Sequence, residues 1–197
     1  MAAFAAAEAK LTKALSSVPD HAGGHLWLGL VDILTKRAAE GIAECEHALA
    51  LDRNLAEAHA CVGWGKMFIG RAEDSEAHIG EALCLSPRDT QAYIWMNVAG
   101  LTKLHLGSWE QAVAWFRRAI EANRNNPPTY LNLAAALAQL GRLDEAHSAV
   151  KTGLAFNPPY VISRIRDAWT ARSDDPTYLA RLEPIFEGWR KAGLQEE

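Results

Sequence analysis

Four stretches of this chain carry one pattern at nearly constant spacing: "EHALALDRNLAEAH" (46–59), "GEALCLSPRDTQAY" (80–93), "RRAIEANRNNPPTY" (117–130) and "KTGLAFNPPYVISR" (151–164). Each sets a small residue before an aliphatic one, then a polar or proline-bearing break, then a new helical pattern. The small residues are Ala48, Ala82, Ala119 and Gly153, spaced 34, 37 and 34 residues apart. Glycines recur midway through the later units, at Gly70, Gly107 and Gly141. A residue free to take positive φ there ends the first helix of a pair. Units of this length cannot bury their apolar face alone, so the pattern predicts neighbours stacked on one another.

One segment sharpens the constraint. In "HLWLGLVDIL" (25–34) the large apolar residues do not keep to one side of a helix. A helix apolar all round is covered on more than one face, so the sequence asks what covers the second. The net charge of −4 gives no basic footprint for a nucleic-acid backbone. No apolar run approaches the ~20 residues that a membrane helix needs. In "MAAFAAAEAKLTK", Glu8 and Lys10 interrupt what a secretory signal would keep apolar. Cys45, Cys61 and Cys84 are odd in number and unpaired in spacing, which predicts reduced thiols in a cytoplasm, each packed as a small apolar residue.

"YLNLAAALAQLGRLDEAHSAVKTGLAFNP" (130–158) resembles the tetratricopeptide repeat. Tyr130, Leu133, Ala134, Gly141, Ala146 and Pro158 stand at that family's large, small and proline positions. The resemblance divides the chain into units at 22–55, 56–89, 90–126 and 127–160. The third unit's three extra residues are expected in a longer first helix through "VAGLTKLHLG". His25, Asp32, His59 and Lys66 depart from the pattern, standing where the family has bulky apolar side chains. The resemblance implies an all-α, right-handed superhelix of helix-turn-helix repeats with C-terminal capping helices over 161–197. It also implies a protein-interaction module without catalysis.

"FAAAEAKLTKALSSVPDH", within 1–21, reads as the second helix of a repeat whose first helix is missing. The expectation is a piece cut from a longer protein, the alternative a lone natural cap. At the other end, "PYVISRIRDAW" (159–169) predicts a helix, and "DPTYLARLEPIFEGWRKAGL" another. Asp175 would cap this second helix, with Pro176 at its first position. Leu179, Leu182, Ile185, Phe186 and Trp189 would form its stripe, Pro184 a kink and Gly193 the stop. This tail after "AALAQLGRLDEA" looks like the C-terminal repeat region of bacterial class III nucleotide cyclases and of some winged-helix regulators. That likeness implies, as an alternative function, the regulatory or dimer-forming tail of a cyclase whose catalytic domain lies elsewhere.

Chemistry is scarce. "GWGKMFIGR" (63–71) lacks the Gly-Lys-Ser/Thr ending of a phosphate loop. His21 and His25 have ligand spacing without a third ligand, and "HAGGH" reads as a loop. No nucleophile with a base, no metal and no cofactor is expected.

By family geometry, the first helices of the units line a concave groove. The residues so placed include Leu26, Trp27, Leu30 and Leu34 in the first unit and Trp64, Met67 and Phe68 in the second. Ile94 and Trp95 follow in the third, and Asn132 in the fourth. Of the polar residues with which some relatives clamp a peptide carboxylate, Asn132 alone matches. Large aromatics each bury ~150–250 Å², so a groove holding several should be covered by something apolar. The expected cover is a protein or peptide partner, a second copy forming a homodimer, or a region upstream of this chain, the alternative being first helices that bury one another; no nucleic acid and no membrane are involved.

Overall fold

The computed structural model describes residues 2–156 and 160–197; Pro158, assigned above to a repeat position, lies outside them. All regular structure among the described residues is helical. The elements are α1 (Ala2–Ser17), α2 (Ala22–Leu34), α3 (Ala38–Leu51), α4 (Ala56–Phe68), α5 (Ser75–Leu85), α6 (Ala92–His105), α7 (Trp109–Ala122), α8 (Pro127–Gln139), α9 (Leu143–Phe156), α10 (Ile162–Thr170), α11 (Pro176–Ala180) and α12 (Glu183–Lys191). A short 3-10 turn, Ala72–Asp74, leads into α5. Within the described residues, no helix is long and apolar enough to cross a membrane.

Two compact units divide the chain: residues 1–87 with 172–175, and residues 88–171 with 176–197. In the first, α2 packs on α3 and α4 on α5, with α1 against α2. The α2–α3 pair is close because glycines face each other. A β-carbon on Gly29 would lie 2.6 Å from both Cys45 Sγ and the Gly41 carbonyl oxygen. Two of the residues that depart from the repeat pattern, His25 and Asp32, are held by close polar partners. His25 Nδ1 lies 2.6 Å from Glu44 Oε2, and its Nε2 lies 2.7 Å from the Pro19 carbonyl oxygen. Arg37 Nε donates to buried Asp32 at 3.0 Å, and Arg37 also pairs with Glu8 at 2.9 Å. Burial raises the Asp32 pKa, and the Arg37 hydrogen bond only partly offsets it. Ser173 Oγ donates to the Phe68 carbonyl oxygen at 2.6 Å, tying residues 172–175 into this unit.

In the second unit, α6 packs on α7, α8 on α9, and α12 on α8. Trp189 is fully buried and donates through Nε1 to the Leu131 carbonyl oxygen at 2.7 Å. The expected tail stripe is largely inside: Leu182, Ile185, Phe186 and Trp189 are buried, Leu179 half-buried.

Three expectations need correction. "HAGGH" is not a loop: α2 begins at Ala22, because His21 Nδ1 accepts the Gly24 N–H at 2.8 Å and caps the helix. The tail helix does not kink at Pro184 but is two helices, with Pro184 in the first turn of α12, where a missing N–H costs nothing. The three extra residues lie mostly outside α6. The connection before it, 86–91, is longer than those at 52–55 and 123–126, while α6 exceeds α4 and α8 by one residue. Connecting segments tolerate insertions better than the helices they join, so most of the extra length falls in the connection.

Candidate functional site

An apolar groove of about 340 Å³ between α1 and α2 could hold a ligand in the first unit. Ala3, Phe4, Ala7 and Leu11 line one side, successive turns of one face of α1. Trp27, Leu30, Val31 and Leu34 line the other at helical spacing on α2. No lining side chain except the indole of Trp27 carries a polar atom. Trp27 is 49 % exposed and Phe4 37 %. The groove therefore offers contact area rather than acid, base or charge.

Of the ten expected groove residues, Trp27, Leu30 and Leu34 meet here. Trp64 is half-buried, its ring 6.0 Å from that of Phe68, and Ile94, in the second unit, is exposed. Leu26, Met67, Phe68, Trp95 and Asn132 are each no more than 5 % exposed, which corrects their assignment to a solvent-facing surface. Helix neighbours cover them. Asn132, the one clamp-like residue, instead donates to Asn97 Oδ1 at 3.3 Å. Family geometry gives no groove residue on α1, because a second helix belongs to the outer face of a repeat. The signal of the α1 lining is nonetheless present in the i, i+3, i+7 spacing of Phe4, Ala7 and Leu11.

The other chemical candidates resolve into structure. His21 and His25 are spent on the cap and on Glu44. Among the described residues, no group of three His, Cys, Asp or Glu is placed to hold a metal. Gly63 and Gly70 of the glycine-rich stretch serve packing and turn: a β-carbon on Gly63 would meet Ile79 at 3.0 Å, and Gly70 has φ 74°. Cys45 and Cys61 are buried as expected, but Cys84 is exposed. In the second unit, a cleft of about 640 Å³ is bordered by His105, Trp109 and Arg181. His105 stacks on Tyr178 at 5.0 Å between ring centroids. Burial, and then the charge of Arg181, lower its pKa to about 3. The ring is thus neutral near pH 7 and packs as an aromatic.

Comparison with known proteins agrees with the helical-repeat fold. Tetratricopeptide-repeat family models match residues 66–127 and 103–162. No curated protein matches the sequence. Solved structures are similar at low identity. MamA is 22 % identical, over 78 % of this chain and 88 % of that one, with a TM-score of 0.63. YrrB, described as a TPR protein with an unusual peptide-binding site, is 21 % identical over 92 % and 90 %, at 0.59. PilF of Pseudomonas aeruginosa is 21 % identical over 98 % and 88 %, at 0.71. At such identities the likeness shows the fold. Residues 66–162 of this chain are tetratricopeptide repeats, and its all-α helix-turn-helix fold is that of tetratricopeptide-repeat proteins.

Proposed function

We propose that the chain is a protein-interaction module that holds a polypeptide in the groove between α1 and α2, without catalysis. The observation that carries this is the lining itself: eight residues, apolar but for one indole nitrogen, with two aromatics substantially open to solvent. Exposed aromatics in a concave apolar site are the usual anchors of binding energy. The description of YrrB as having a peptide-binding site supports a polypeptide as the ligand class. Leu26, Met67, Phe68, Trp95 and Asn132 are buried within the chain and take no part, whereas Trp27, Leu30 and Leu34 line the groove and touch the ligand. Three free cysteines suit work in the cytoplasm.

Selection of peptides from a random displayed library tests the reading. Sequences enriched on the wild-type chain should lose binding to Trp27→Asp by roughly tenfold or more, as for an anchor residue. The helical circular dichroism of the variant should stay unchanged, since the replaced side chain is half exposed. Enriched peptides indifferent to Trp27→Asp would move the site elsewhere and sink the proposal.

A further inference from the structure

Five ionisable side chains stand on the two helices that form the groove: Glu8, Lys10 and Lys13 on α1, His25 and Asp32 on α2. Three of them have partners. Glu8 and Asp32 both pair with Arg37, and His25 lies against Glu44. Among the described residues, neither Lys10 nor Lys13 has an acid within ion-pair reach, and both are exposed. Their place on α1 follows from the helix. Leu15 and Glu8 lie on the edge of α1 turned to α2: Leu15 Cδ2 would lie 2.7 Å from a β-carbon on Gly24, and Glu8 reaches Arg37. Lys10 comes one turn after Ala7 and about two turns after Ala3, so it continues their line along the other edge of the groove. Lys13 stands a turn further on, toward the Trp27 end, since the contacts of Leu15 and Glu8 set the two helices antiparallel. The charges left without a counter-charge on these helices are thus both cations, in a chain whose net charge is −4.

We infer that the polypeptide held in the groove is acidic: an apolar segment with Asp or Glu beside it, whose carboxylates meet Lys10 and Lys13 while its apolar side chains lie on Phe4, Leu11 and Trp27. This rests on the reading of the groove as a polypeptide site and names the chemistry of the occupant. The same charges disfavour a second copy of the chain. A symmetric pair sets each patch against itself. Pairing through this groove would bring the lysine-bearing rims of both copies into one interface, with the acids of α1 and α2 already held by Arg37. A basic segment meets the same repulsion. Exposed ion pairs each contribute little, so the apolar lining supplies most of the affinity, and the lysines select among apolar segments.

The test is a displayed random library selected in parallel on the wild-type chain and on Lys10→Glu/Lys13→Glu, with Trp27→Asp as the counter-selection. Peptides that bind the wild type and fail on Trp27→Asp should carry an excess of Asp and Glu beside their apolar residues. Those selected on the charge-reversed chain should carry Lys and Arg there instead. In fluorescence anisotropy, an acidic peptide from the wild-type selection should bind Lys10→Glu/Lys13→Glu about tenfold more weakly. That difference should shrink as salt rises from about 0.05 to about 0.5 M. Both lysines are exposed, so the helical circular dichroism of the double variant should match the wild type. Trp27-dependent peptides with no excess of acids, or with an excess that the double variant leaves unchanged, would overturn the inference and leave the groove reading intact. Absence of any Trp27-dependent peptide would overturn both. A concentration-dependent dimer broken by Trp27→Asp would make the second copy the occupant and overturn the acidic partner.

Discussion

Lys36 has φ 72° and lies 34 residues before Gly70, which has φ 74°. It fills the turn position that Gly70, Gly107 and Gly141 fill in the later units. A left-handed backbone costs an L-residue roughly 1–2 kcal/mol, and glycine avoids it. Lys36 also pairs with Asp174 at 2.7 Å, but both side chains are largely exposed and such a pair is worth at most ~1 kcal/mol. Lys36→Gly should therefore raise stability, by up to about 1 kcal/mol, read from the urea midpoint. A clear fall would mean that the ion pair outweighs the backbone cost. The three glycine turns were legible because glycine announces positive φ. The first was not, because a lysine in the same conformation leaves no mark in the sequence.

Among the elements, the α2–α3 contact depends on two glycines, and the two helix surfaces leave no room for a methyl group. Gly29→Ala should cost about 1–3 kcal/mol, since Cys45 and the backbone of Gly41 must give way. Gly80, in α5, is the control: it is exposed, nothing lies within 4 Å of its β-carbon position, and Gly80→Ala should gain roughly 0.5–1 kcal/mol. Urea denaturation of the two variants should thus move in opposite directions. Equal, small effects would show that α2 and α3 can part at little cost. Glycine at both places reads alike in the sequence. Only the neighbour across the contact separates a packing glycine from a surface one, just as packing on α8 selects which face of α12 is buried.

In the molecule as a whole, the two units should answer pH with opposite signs. Burial lowers the His25 pKa, but the hydrogen bonds that its ring donates to Glu44 and to the Pro19 carbonyl outweigh it and the net shift is upward. His25 therefore stabilises the first unit fully below its unfolded pKa of ~6.5, and the contribution is lost as pH rises through the raised value. His105 is lowered to about 3, so the second unit keeps its contribution above ~6.5 and loses it as pH falls toward 3. Urea titrations across pH should show the deficit of His25→Gln shrinking from pH ~6 to ~9, and His105→Phe resisting the acid loss expected of the wild type. Flat differences in both would remove these histidines from the stability of the protein. By itself, the sequence determined the helix pairs, their glycine turns and the apolar stripe of the tail, because helical period and backbone freedom are local properties of the chain. It could not say which apolar residues meet solvent. Leu26 and Trp27 are adjacent and both apolar, yet one is 2 % and the other 49 % exposed. That difference was decided by tertiary structure alone, because it depends on which helix lies across each side chain.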